Sequence, residues 1–119
     1  MEKPNLTFIQ KLSGNDIEFE KELLEVIKIE FPKEKIEYLD AIKEKDFKKT
    51  EYSVHKLKHK ISILGFENSY KLADEYEIAL REKKNTLQPQ FDAVLEIITQ
   101  YLENFEKDEL PHYRRRVNR

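Results

Sequence analysis

The chain has 119 residues, which is the length of a single domain. Its 22 Lys and Arg residues nearly cancel its 24 Asp and Glu residues, and a formal net charge of −2 excludes a polycation or polyanion that binds through bulk charge. Its 2 glycines leave little room for a phosphate-binding loop, and the lack of cysteine excludes disulfides, catalytic thiols and cysteine-ligated zinc.

The first half of the chain predicts a short helix followed by two longer ones. The short helix is expected over residues 5–11. Asn15 is expected to cap the next helix, with Glu18 three residues later in a capping-box pattern. Apolar residues then recur at steps of three and four, at Ile17, Leu23, Leu24, Ile27 and Phe31. Pro32 is expected to end this helix and to open the second. The inner stripe of the second helix is Ile36, Leu39, Ala41 and Ile42.

Three more helices are predicted in the second half. Asp46 is expected to cap a third helix, from about residue 47 to residue 64, and Gly65 to form its exit. A fourth helix, from about residue 67 to residue 83, has as its inward-facing residues Leu72, Ala73, Tyr76 and Leu80. Residues 83–88 are expected to form a loop, and Pro89 to open a fifth helix. The apolar positions of the fifth helix are Phe91, Val94, Leu95, Ile98, Leu102 and Phe105.

These helices define the expected fold class. No segment alternates as a strand would, and short connections between helices favour antiparallel neighbours. The sequence therefore predicts an all-α protein, an antiparallel up-and-down four-helix bundle with a short extra N-terminal helix. The bundle is expected to span residues 1–110. Residues 111–119, which follow the last helix and contain four arginines, are expected to be a disordered basic tail.

The expected location is the cytoplasm. Residues 1–11 lack the apolar core of a signal peptide, and no uncharged stretch approaches the roughly 18 residues that a membrane span needs. Four arginines without a folded patch are weak support for binding to nucleic acid or membrane. We therefore expect a monomer with neither of those partners.

The third predicted helix turns two histidines to solvent. At about 100° per residue and with Leu57 at 0°, the buried stripe comprises Val54, Leu57, Ile61 and Leu64. His55 then falls at about 160° and His59 at about 200°, directly opposite this stripe, and Lys58 at about 100° lies on its shoulder. Such a placement does not suit chemistry in a pocket, and it favours chemistry delivered by a partner.

An exposed imidazole of this kind is a candidate phosphoryl acceptor. With an ordinary pKa of about 6.5, a histidine offers mostly neutral, nucleophilic nitrogen at pH 7. A phosphoryl group on His55 would bring roughly two negative charges, and Lys58 lies one turn away. An exposed pair of this kind contributes about 0.2–1 kcal/mol, so the transfer would stay reversible.

Residues 54–58 and the pair 64–65 resemble the signature of the histidine-containing phosphotransfer (HPt) domain. That signature has a small or apolar residue, the acceptor His, any residue, an apolar residue and Lys, with Gly ten residues after the His. The chain fits it with Val54, His55, Lys56, Leu57, Lys58, Leu64 and Gly65. The resemblance continues in the fourth predicted helix at Leu72, Ala73, Tyr76 and Glu77. It also includes residues 39–42 and Asp46, which precede the third helix. The resemblance covers roughly residues 8–105.

The resemblance implies a helical phosphocarrier of two-component signalling, with no catalytic turnover of its own. Such domains take a phosphoryl group from the aspartyl phosphate of one receiver domain and pass it to another receiver. The implied acceptor is His55, and Lys58 steadies the phosphoryl oxygens. The implied receiver-docking residues are Tyr52, Lys56, His59, Ser62 and Phe66. The implied partners are response-regulator receivers or a hybrid histidine kinase. No cofactor is expected on this chain, because Mg²⁺ belongs to the receiver.

Two departures from the family leave alternatives open. His59 stands where the family has a glycine that keeps the surface flat for the receiver, and Ser69 replaces an apolar residue. One alternative is an HPt-like helical adaptor that binds a receiver or kinase without carrying phosphate. His55 and His59 could also be plain surface histidines or two ligands of a metal ion, although no metal site is expected. Phe66 could equally fill the core after the turn.

Overall fold

The computed structural model describes residues 7–14 and 16–104, which form five α-helices and no strand. The helices are α1 (Thr7–Ser13), α2 (Ile17–Lys43), α3 (Phe47–Ile63), α4 (Glu67–Arg81) and α5 (Gln88–Glu103). The predicted all-α class is confirmed. Phe105 and the predicted tail lie outside the described residues, as do residues 1–6, which precede α1.

Helix α2 is one continuous helix where the sequence predicted two. Pro32 lies inside it and is exposed to solvent, so the prediction that Pro32 ends a helix is wrong. An interior proline costs about 3 kcal/mol in a helix. The buried apolar side chains on both sides of it share one face: Leu24, Ile27, Phe31, Tyr38 and Ala41. Each large apolar side chain contributes about 1.5–3 kcal/mol when buried, so the packing of this face outweighs the local penalty.

The continuity of α2 also corrects its predicted inner stripe. Since the helix keeps its register past Pro32, Tyr38 lies two turns beyond Phe31 and is buried. Ile36 and Leu39, which were expected to face inward, are 60% and 41% exposed. The predicted stripe was therefore rotated, because it was read from a new helix start.

The helix ends follow ordinary capping chemistry. The N-cap of α2 is Asp16, whose side chain accepts a hydrogen bond from the backbone N–H three residues later, whereas the predicted cap, Asn15, lies outside the described residues. Asp46 caps α3 in the same way, as predicted. Gly65, with φ of +82°, follows the last turn of α3, and Pro89 lies in the first turn of α5.

One core lies between the long helices. Helix α2 packs against α3 and α5, α4 also packs against α3 and α5, and α1 packs against α2. The core residues of the last three helices are those predicted: Val54, Leu57, Ile61, Leu64, Ala73, Tyr76, Leu80, Phe91, Val94, Leu95, Ile98 and Leu102. Leu72, predicted to face inward, is only partly buried at the core's edge. In the described part of the chain no helix is long and apolar enough to cross a membrane.

A ring of polar side chains ties α4 to α2 and α5 beside this core. The hydroxyl of Tyr38 donates to Asp92 Oδ1 at 2.7 Å, and the hydroxyl of Tyr76 donates to Asn85 Oδ1. Asn85 Nδ2 in turn donates to Gln88 Oε1 at 2.6 Å, and Gln88 Nε2 to Asp92 Oδ2 at 3.2 Å. The two phenol oxygens lie 3.3 Å apart. We call this set of five residues the tyrosine network.

We expect alkaline pH to destabilise the fold by ionising the two buried tyrosines of the tyrosine network. Burial raises the pKa of Tyr76 to about 12, and burial together with the neighbouring Tyr76 and Asp92 side chains raises that of Tyr38 further. The unfolded chain releases these protons near pH 10, so their stabilising contribution is complete below about pH 10 and is lost as pH rises through about 12. Urea unfolding between about pH 8.5 and 11.5 measures this loss.

The matched variants are Tyr76→Phe and Tyr52→Phe, since Tyr52 is 63% exposed. Tyr76→Phe should flatten the alkaline decline in the free energy of unfolding, and Tyr52→Phe should keep the wild-type slope. Equal slopes in all three proteins would contradict the assignment to the buried pair.

Candidate functional site

The two histidines of α3 lie on its solvent face, as the helical spacing predicted. The side chain of His55 is 52% exposed, and His59 is exposed one turn further on. Their ring centroids lie 4.9 Å apart with the ring planes at 86°. On the opposite side of the helix, Leu57 is completely buried. Both imidazoles are therefore accessible to another protein.

A buried carboxylate on α4 holds one nitrogen of His55. Nδ1 of His55 lies 2.7 Å from Oε1 of Glu77, whose side chain is only 4% exposed. Since an ionised carboxylate can only accept a hydrogen bond, Nδ1 is the nitrogen that carries the hydrogen. In the neutral ring the lone pair then lies on Nε2, which is the nitrogen left to react.

Lys58 is engaged by the same carboxylate and is not a free surface cation. Its Nζ lies 2.6 Å from Glu77 Oε2 and 2.7 Å from Asp74 Oδ1, and its side chain is 10% exposed. Burial lowers the pKa of Lys58, but the hydrogen bonds to Asp74 and Glu77 outweigh it and raise the pKa above its usual value. Lys58 thus stays charged and balances the negative charge of Glu77. Its link to His55 is the shared carboxylate, which contacts both side chains.

The predicted docking residues divide into an exposed group and a buried one. Tyr52 is 63% exposed, and the ammonium of Lys56 lies 5.2 Å from its ring centroid while donating to Glu37 at 2.7 Å. Ser62 is half-buried near the end of α3. Phe66 is only 1% exposed and packs in the core after the Gly65 turn, so its assignment to the docking surface is wrong.

The partners supplied by α4 are what the sequence analysis largely missed. Among the described residues, four ion pairs join α3 to α4: Lys58 with Asp74, Lys58 and His55 each with Glu77, and Glu51 with Arg81. The residues of α4 recur at i, i+3 and i+7, which places them on one helix face. That spacing was available as a signal, but only the resemblance had singled out Glu77, and nothing in the sequence fixed which face α4 turns to α3.

No cluster of three or more His, Asp or Glu side chains placed to hold a metal ion occurs within residues 7–14 and 16–104. His55 and His59 by themselves offer two imidazoles, and Nδ1 of His55 is already bonded to Glu77.

Comparison with known proteins adds no relative to this picture. No family model matches the chain, and no curated protein and no solved structure was found to match it. The residues and their geometry therefore carry the argument for function.

Lys58 and Lys56 give a matched test of the buried network. Lys58→Met leaves the buried carboxylate of Glu77 without its main cation, and should lower the free energy of unfolding by about 3 kcal/mol. Lys56→Met breaks a pair with an exposed glutamate and should cost at most about 1 kcal/mol. Urea unfolding at pH 7 measures both, and equal losses would show that Lys58 does not support the buried carboxylate.

Proposed function

We propose that this protein is an HPt-type phosphocarrier that accepts a phosphoryl group on His55 from the aspartyl phosphate of a receiver domain and passes it to another receiver. The observation that carries the proposal is an exposed imidazole whose Nδ1 is held by a buried carboxylate, 2.7 Å away on the next helix. This arrangement leaves Nε2 as the nucleophile on the surface, where a protein partner can reach it.

The transfer follows from that geometry. Nε2 of His55 attacks phosphorus in line; the N–P bond forms as the P–O bond of the acyl phosphate breaks, and the aspartate carboxylate leaves. The ring becomes cationic while Nδ1 keeps its hydrogen, and Glu77 stabilises that charge through a charge-assisted hydrogen bond. Lys58 pairs with the other oxygen of Glu77 and balances its charge. Mg²⁺ and most catalytic groups belong to the receiver, so this chain is a carrier without turnover of its own.

We infer that the four long helices form an antiparallel up-and-down bundle. The order of contacts along two pairs of helices supports this. Between α2 and α3, Lys56 binds Glu37 while Lys60, further along α3, binds Glu34, which is earlier in α2. Between α2 and α5, residue 38 bonds to residue 92 while residue 35 bonds to residues 96 and 99. Numbers that rise on one helix thus fall on the other, and α1 is the short extra helix.

The proposed docking surface is the exposed part of α3 around His55. It comprises Tyr52, Lys56, His59 and Ser62. Its aromatic and basic side chains suit a receiver, whose phosphorylation site is acidic. We place the protein in the cytoplasm as a monomer, where its partners are receiver domains or a hybrid histidine kinase, with no nucleic-acid or membrane partner.

A second candidate function is an adaptor that binds a receiver or kinase without carrying phosphate. The observation that favours it is the exposed ring of His59, 4.9 Å from that of His55, where the family has glycine. An adaptor would bind its partner equally well after His55→Gln and would never hold acid-labile phosphate.

Phosphotransfer from labelled receivers tests the proposal directly. A panel of receiver domains carrying ³²P-aspartyl phosphate should label the wild-type protein, and the label should be lost on acid treatment. His55→Gln should abolish labelling, whereas His112→Gln, which removes the third histidine, should leave it intact. No label on the wild type from any receiver, or label retained by His55→Gln, would refute the carrier function.

A second experiment isolates the hydrogen bond to Nδ1. Glu77→Gln should slow phosphoryl uptake by about 10-fold or more, because a charge-assisted hydrogen bond to the cationic ring is lost. Asp74→Asn is the matched control, since it removes the other carboxylate of Lys58 without touching His55. Equal slowing by both variants would assign the effect to overall charge.

A further inference from the structure

His59 is the neighbour of His55 on the side of α3 away from α4. The two nitrogens lie on opposite edges of the imidazole, so with Nδ1 bonded to α4 through Glu77, Nε2 turns away from α4. On the surface of α3, the side away from α4 is the side of α2, because Lys56 and Lys60 bind glutamates of α2. His59 lies between His55 and that side, about 40° further around the helix. Its ring centroid is 4.9 Å from that of His55.

The ammonium and guanidinium groups around this edge are already paired. The pairs are Lys56 with Glu37, Lys58 with Asp74 and Glu77, Lys60 with Glu30 and Glu34, and Arg81 with Glu51. By contrast, His59 forms no ion pair with any residue in the described ranges 7–14 and 16–104. Of these side chains, His59 can therefore supply a hydrogen and a positive charge to an incoming phosphoryl group, with its roughly two negative charges, without breaking an ion pair.

We propose that His59 is the phosphoryl-contacting residue of this carrier: in its protonated form it donates a ring N–H to a phosphoryl oxygen on Nε2 of His55. The proposal rests on the proposed function and deepens it. It reassigns the role that the sequence analysis gave to Lys58, whose ammonium is held between Asp74 and Glu77. The bulky side chain at the family's glycine position then contributes to the reaction instead of only crowding the partner.

A chemical phosphoryl donor tests this inference without any receiver. Phosphoramidate with a protonated nitrogen phosphorylates histidine: the new N–P bond forms as the reagent's P–N bond breaks, and ammonia leaves with the electron pair of the broken bond. In a His112→Gln background, His55 and His59 are the remaining histidines, and adding His55→Gln gives the blank for labelling elsewhere. The rate of phosphohistidine formation on His55 is followed by ³¹P NMR at pH 7.

Three substitutions at His59 separate charge from size. His59→Gln and His59→Gly should each slow the reaction by about two- to five-fold, the range expected when one exposed charge pair is lost. His59→Arg should restore the wild-type rate, because it keeps the cation and the donor. A wild-type rate for the Gln variant, a faster reaction of the Gly variant, or an Arg variant as slow as the Gln variant would each overturn the proposal.

A spectroscopic measurement excludes a merely structural role for His59. In long-range ¹H–¹⁵N spectra at fixed pH, phosphorylation of His55 should shift the ring nitrogens of His59 toward imidazolium values. Unchanged His59 signals would overturn the proposal, as would failure of phosphoramidate to label His55. Failure of every receiver to transfer phosphate, with these results intact, would instead refute only the proposed receiver partnership.

Discussion

The carboxylate of Glu77 is the group on which the rest of the site depends. It is almost completely buried, and its two oxygens point to two different residues of α3, His55 at 2.7 Å and Lys58 at 2.6 Å. A buried carboxylate without a cation would be costly, so Lys58 stabilises it, and Asp74 in turn balances Lys58. The exposed histidine is therefore oriented by a buried carboxylate whose negative charge is balanced within the protein. Only one edge of its ring is left for chemistry at the surface.

Under the proposed function, this arrangement gives a lysine three residues after the acceptor a role that does not require contact with the phosphoryl group. Lys58 pairs with the carboxylate that orients His55. In the proposed carrier, the positive charge near the phosphoryl group comes from elsewhere on the surface, and His59, beside His55, is the residue we propose for it. A short spacing pattern in the sequence does not distinguish these two roles, because both require a cation one turn from the acceptor.

The sequence predicted the helices of the second half and the outward placement of both histidines, because a period of 3.6 residues determines which side chains share a face. The prediction was wrong at Pro32, because the burial of core side chains along α2 outweighs the tendency of one proline to end a helix. It also failed at Phe66, since the position after a helix exit allows either burial or exposure. The partners of α3 on α4 depend on the register between two helices, which periodicity within each helix does not specify.

Tyr76 and Glu77 are neighbours in the chain and point to different sides of α4. Tyr76 belongs to the tyrosine network, which joins α4 to α2 and α5, whereas Glu77 faces α3. A slide of α4 along its own axis by one turn, about 5.4 Å, would separate Glu77 from His55. The hydrogen bonds of Tyr76 and its partners oppose that slide from another side of the helix. Hydrogen bonds at the α4–α5 connection thus support the orientation of a surface imidazole on α3 that they do not contact.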